Sequence, residues 1–218
     1  MDAVTPASTL ERPQRHENVF AEDRREALNT FLHEPGWETG WKSNRARDGF
    51  NFLHKHFAGW RGSDKPSYDC QEELKINAPL IYKAWLTVRD NIFAGHTLVR
   101  CYANGMAYGM DGSVHLDASA AGNYTAVYYP HDRWSPNWGG ETIFYNDREN
   151  RVVACMYPKP NSVVVFDGRM PHRANGVTRM FPGTRITLMW KTMLIKPNEQ
   201  TTGQTAAAPP NGGTVPNV

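Results

Sequence analysis

The stretch Val114-His115-Leu116-Asp117, read together with Met170-Pro171-His172-Arg173 further along, decides how the rest of the chain is understood. In an extended strand, side chains at i and i+2 point to the same face. His115 and Asp117 therefore aim an imidazole and a carboxylate at one point, and His172 on a neighbouring strand supplies a second imidazole. Two imidazoles and one carboxylate occupy one face of an octahedral metal ion and leave three positions open. A His-Xaa-Asp tripeptide alone can equally be a polar strand edge, so the weight falls on its surroundings.

Those surroundings read as strands. Short β-branched and aromatic runs at 97–102, 124–129, 141–145, 151–156, 162–166 and 185–191 alternate with Gly, Pro and Asn turns, and Ala103-Asn104-Gly105-Met106-Ala107 reads as a loop. That texture describes a β-sandwich or jelly roll. Upstream the pattern is helical. Val19, Phe20, Ala27, Leu28, Phe31 and Leu32 recur at helical spacing until Pro35-Gly36. A second amphipathic run covers 72–93, with Pro79 near its start. Between them, 37–61 is aromatic and unassigned; Trp37, Trp41, Phe50, Phe52, Phe57 and Trp60 are expected in the core, with a substrate wall as the other reading. The expected organisation is a mainly β domain at 19–196, with helical support at 19–96 and a double-stranded β-helix (jelly-roll) core at 97–196. Disordered tails are expected at 1–18 and at 197–218, the latter dominated by Thr, Gly, Ala, Pro and Asn.

Composition narrows the function. The 24 basic and 22 acidic residues nearly cancel, so neither nucleic acid nor an anionic membrane is expected as a partner. The three cysteines, Cys70, Cys101 and Cys155, are widely spaced and odd in number, which suggests reduced thiols in the cytoplasm. No run is apolar and long enough to suggest a membrane span. Other histidines compete for the ligand role. His54 and His56 alternate as strand ligands would, but without a nearby third partner they read as structural or pocket-edge groups. His131 lies in a Pro-Asp loop and His96 at a helix end, where a cation suits the dipole. Neither has the Phe166-Asp167 lead-in that precedes His172.

Taken in order, these segments resemble the 2-oxoglutarate- and Fe(II)-dependent dioxygenases, and within them the prolyl-4-hydroxylase-like branch. The resemblance covers about 97–193. It is carried by Cys101-Tyr102-Ala103-Asn104-Gly105, Tyr108, His115-Leu116-Asp117, Val127-Tyr128-Tyr129, Trp138-Gly139-Gly140-Glu141-Thr142, Val165-Phe166 through His172, and Gly183-Thr184-Arg185-Ile186-Thr187-Leu188.

The resemblance implies Fe(II) on His115, Asp117 and His172, with 2-oxoglutarate as co-substrate and O2 as oxidant. A C–H bond of a small molecule or an amino-acid side chain, free or in a peptide, would be hydroxylated or desaturated, with release of succinate and CO2. The retained Asp117 argues against halogenation, for which relatives replace this carboxylate by a small residue. The far carboxylate of 2-oxoglutarate needs a fixed cation, and arginine's planar fork suits it. Arg185 is the first choice, on one strand face with Thr187 and Met189. Its distance of 13 positions from His172 is long for the branch, so Arg179 stays open. Tyr102 and Tyr129 are the implied hydrogen-bond donors to the co-substrate, Tyr108 and Thr187 weaker cavity candidates, and Arg169 and Arg173 candidate substrate contacts. The Trp134–Trp138 loop is a further candidate wall. Two other readings remain: a non-catalytic jelly-roll binding module, and a cupin-type dioxygenase that needs the metal but not Arg185.

Overall fold

The computed structural model describes residues 10–49, 51–59, 68–146 and 151–195. Phe50, Trp60 and the expected C-terminal tail at 197–218 lie outside the described residues. In chain order the elements are β1 (Gln14–Glu17), α1 (Glu22–His33), β2 (Glu38–Trp41), β3 (Phe52–Gly59), α2 (Gln71–Asn77), α3 (Pro79–Ile92), β4 (His96–Met106), β5 (Asn123–Tyr129), β6 (Thr142–Asn146), β7 (Arg151–Met156), β8 (Ser162–Asp167), β9 (His172–Ala174) and β10 (Arg185–Leu194). The strands pair antiparallel in two sheets, ordered β1-β8-β5-β10-β4-β3-β2 and β7-β6-β9. Neighbours in space are mostly distant in sequence, the interleaving of a jelly roll.

Alternation along the central strands builds two cores. On β10, Ile186, Leu188 and Trp190 face the helices and join Leu28, Leu32, Ile81, Trp85 and Val88 in one apolar cluster. Met189 faces the other way and, with Tyr102, Val127, Tyr129 and Phe166, meets Phe144 of the smaller sheet. The result is three layers: helices, large sheet, small sheet. The cavity described below opens between the two sheets.

Four expectations change. The run at 72–93 is two helices, because Ala78 adopts φ −147° and ψ 73°. A residue before proline is sterically pushed out of the helical region, and Ala78 precedes Pro79. The loop expected at 103–107 is strand through Met106, held by pairing on both sides with β3 and β10. Gln14–Glu17, expected in a disordered tail, is an edge strand paired with Ser162–Val165. The unassigned aromatic segment likewise supplies β2 and β3, so the support for the core is partly β.

Two competitors for the ligand role have structural employment. His131 Nε2 accepts the Ile186 backbone N–H at 2.9 Å, and His96 Nδ1 meets Thr192 Oγ1 at 3.1 Å. Burial lowers the pKa of His54 and His96 to about 4 and that of His131 to about 3, against an ordinary value near 6.5. The unfolded chain then binds more protons than the folded one between these values, so stability rises with pH across that window. Stability carried by these three groups is complete above about pH 6.5 and declines as pH falls toward 4. Urea melts of metal-free protein should lose at least a few kcal/mol over this range; midpoints that stay level would contradict the assignment.

Candidate active site

His115 does not lie in a regular strand. The segment around it makes a single antiparallel bridge, with His115 N–H donating to His172 C=O at 3.0 Å and His172 N–H returning to His115 C=O at 3.1 Å. Asp117 N–H then donates to Gly168 C=O at 2.8 Å. The same-face relation expected from strand alternation is thus imposed by docking on the 168–172 segment. It brings His115 Nε2 to 3.6 Å from Asp117 Oδ1, and His172 Nε2 to 3.5 Å from Asp117 Oδ2. The three ligand atoms lie within 4.8 Å of one another, the span of a single ion's donor set.

The second ring nitrogens orient the imidazoles. His115 Nδ1 lies 3.0 Å from Ser113 C=O, and His172 Nδ1 2.9 Å from Met170 C=O. A carbonyl can only accept, so each Nδ1 carries a proton, and in the neutral ring that a metal ion binds each Nε2 presents a lone pair. Asp48 accepts from the Ser113 N–H at 2.8 Å and from its hydroxyl, fixing the turn that holds His115. Phe144 and Phe166 flank the His172 ring at 5.8 and 4.5 Å. Burial pushes the Asp117 carboxyl up, but Lys191, His172 and His115 outweigh this and hold it well below the usual range. Burial lowers His172 to about 4, so its ring is neutral and ready to ligate at pH 7. For His115 the Asp117 carboxylate outweighs burial and raises the value. These donors fit a divalent ion that takes nitrogen and oxygen ligands and keeps open positions.

A cavity of about 960 Å³ opens beside the triad. Arg185 lines it from the start of β10 and is 1% exposed. Its Nε donates to Gly140 C=O at 2.6 Å, its Nη2 approaches Thr142 Oγ1 at 3.4 Å, and its guanidinium lies 5.7 Å from the Tyr129 ring centre. Thr187, Met189 and Lys191 follow on the same strand face, and Tyr102 lines the cavity from β4. Tyr129 is one layer back, with its hydroxyl 2.8 Å from Thr142 Oγ1. Arg179 is exposed and does not line the cavity.

Other candidates fall elsewhere. Tyr108 is 65% exposed and outside the lining, because the turn after β4 carries it outward. Arg169 is tied to Asp167 by bonds of 2.9 and 2.7 Å, and Arg173 to the Tyr145 hydroxyl at 3.0 Å. Trp134 and Trp138 cluster with Phe181 away from the cavity, whereas Trp41 lines it. His54 stacks on Trp41 at 3.9 Å and bonds Asn104. Sequence reasoning missed Thr125, whose hydroxyl donates to Asp117 Oδ2 at 2.7 Å, and Lys191, which pairs with the same oxygen. Carrying the Arg185, Thr187, Met189 alternation one step further would have found Lys191.

The Gly139-Gly140 turn is what admits Arg185. Gly140 has φ +78°, and a Cβ there would lie 2.9 Å from Arg185 Cδ and 3.0 Å from Trp134 Cζ2. Gly140→Ala should therefore cost about 1–3 kcal/mol of stability through the strained backbone and the displaced guanidinium. Thermal unfolding measures this, and an unchanged midpoint would refute the contact.

Residues 98–190 match the family model described as the 2OG-Fe(II) oxygenase superfamily. No curated protein matches the chain in sequence. Among solved structures, the chain is similar to a Pseudomonas putida prolyl-4-hydroxylase at 15% identity and a TM-score of 0.58, covering 84% of this chain and 92% of that one. It is similar to a Burkholderia pseudomallei oxidoreductase of the 2OG-Fe(II) oxygenase family at 14% identity and a TM-score of 0.61, covering 84% and 85%. HygX of Streptomyces hygroscopicus, solved with nickel and 2-oxoglutarate, matches at 12% identity and a TM-score of 0.54, covering 83% and 82%. At these identities the structures establish a shared fold, and the expected mainly β, jelly-roll class holds. The expected cofactor pair, iron and 2-oxoglutarate, is the one the matched family is named for. Residues 98–190, the jelly-roll core that carries the histidine and aspartate triad, are thus the part of the chain that matches the 2OG-Fe(II) oxygenase superfamily model.

Proposed function

We propose that this protein hydroxylates an unactivated C–H bond of a small molecule or an amino-acid side chain, using Fe(II), 2-oxoglutarate and O2. The observation that carries the reading is a His115, Asp117 and His172 donor set facing one cavity with the buried Arg185. When bound, iron and 2-oxoglutarate supply oxidation of a C–H bond, coupled to conversion of the keto acid and O2 to succinate and CO2.

The chain's own residues bind and orient. His115, Asp117 and His172 would hold the ion, their Nε2 atoms freed by Nδ1 bonds to carbonyls. Arg185 would take the far carboxylate of 2-oxoglutarate, steadied by Gly140 and Thr142. Tyr102 and Thr187 line the space between, while Tyr129 acts at one remove by bonding Thr142. The two sheets would hold a bound substrate against the donor set, which favours productive geometry. A buried arginine in the cavity favours a keto-dicarboxylate over a cupin-type reaction without one. Three unpaired cysteines suit a cytoplasmic setting. Among the described residues, no helix is long and apolar enough to cross a membrane.

The test is succinate release from 2-oxoglutarate by purified, Fe(II)-loaded protein, with panels of metabolites and peptides added. Release that needs both iron and 2-oxoglutarate, and rises with one class of additive, is the expected result. Ligand binding that survives His115→Ala, with no iron uptake, would point instead to a binding module.

A further inference from the structure

The cavity wall beyond the triad is positively charged. Among the described residues that line the cavity, Asp117 is the one carboxylate, whereas Lys42, Arg45, Arg100, Arg185 and Lys191 are cations. Arg185 is committed to the co-substrate in the reading above, and Lys42 donates to Asp48 C=O at 2.8 Å. Arg100 and Lys191 stand directly opposite each other in the β4–β10 pairing. Like charges in facing strand positions are destabilising unless compensated; Lys191 has its counter-charge in Asp117, so Arg100 is the cation of the pair still to be compensated.

Arg100 reaches this position through a local irregularity. The β4–β10 register shifts between Lys191 and Thr192, where Arg100 pairs with Lys191 and Leu98 with Thr192. The extra residue, Val99, breaks strict alternation, so Val99 and Arg100 both line the cavity while Leu98 and Cys101 stay in the apolar core. Bulges beside active sites re-aim side chains in this way. Gly59 permits it: at φ +85° a Cβ there would lie 2.4 Å from Val99 O and 2.8 Å from Arg100 Cα. The Arg100 guanidinium is then steadied by the Trp41 ring at 4.9 Å and the Tyr102 ring at 4.6 Å, while its buried Nε and Nη2 have no hydrogen-bond partner. Two donors held by aromatic faces, with nothing to donate to, await an acceptor.

We infer that the prime substrate is an anion whose carboxylate or phosphate group is held by Arg100. This rests on the oxygenase reading only in placing the substrate beside the metal. The two are tested apart.

Inorganic phosphate and acetate are titrated calorimetrically into metal-free wild-type protein, Arg100→Gln and Arg100→Lys, with unfolding midpoints as the folding control. Saturable binding by wild type, weakened about 10- to 100-fold in Arg100→Gln and partly restored in Arg100→Lys, is expected. The tighter of the two probes identifies phosphate or carboxylate as the group recognised. Absence of saturable binding, or equal binding by Arg100→Gln, overturns the inference. In the loaded enzyme, N-acetyl amino acids are compared with their amides, and phosphate monoesters with the parent alcohols. Stimulation of succinate release by the anionic member alone supports the inference, and equal stimulation by the neutral partner overturns it. If no condition yields succinate while phosphate or acetate still binds through Arg100, the oxygenase reading fails and the anion site stands.

Discussion

His172→Ala protein is expected to lose iron affinity by more than about 100-fold and to release no succinate above background, because one of three ligands is gone. The same substitution leaves a space beside the Phe144 and Phe166 pair, so some stability is lost as well. Metal content after dialysis, read beside the unfolding midpoint, separates the two effects. Asp117→Asn gives an independent check, since it keeps the volume and removes the charge. It should also destabilise the metal-free protein, by leaving Lys191 among two imidazoles without its carboxylate. A His172→Ala protein that holds iron and turns over 2-oxoglutarate normally would remove the metal centre as described.

Arg185→Gln should raise the KM for 2-oxoglutarate by roughly 100-fold while iron is retained. A buried, charge-assisted fork to a carboxylate is worth about 2–5 kcal/mol when one side is truncated. Arg185→Lys keeps the charge but not the planar pair of donors, and should recover only part of the loss. Arg179→Gln serves as the control: that side chain is exposed and remote from the cavity, so its KM should match wild type. A large effect at Arg179 with none at Arg185 would invert the assignment.

Much of this was legible before any coordinates. The strand periods at 124–129, 151–156 and 162–166 match β5, β7 and β8 to within a residue at either end. The spacing of His115, Asp117 and His172 nominated three groups that the fold places within 4.8 Å. The face of β10 that carries Arg185, Thr187 and Met189 also followed from alternation alone. The sequence could not locate Tyr108, whose tyrosine character suits a pocket but whose turn points it to solvent. Nor could it see that Ala78 splits a continuous amphipathic pattern, or that Gln14–Glu17 completes a sheet edge, since a four-residue polar run has no period of its own.

The sequence by itself determined the layers and the donor types, because apolar periodicity and side-chain chemistry are local properties written one residue at a time. Only the tertiary structure decided which cations share the cavity, through the register of β4 against β10, the extra residue at Val99 and the room left by Gly59 and Gly140. Register arises from pairing between distant segments, and a one-residue slip sends a side chain to the opposite face of a sheet.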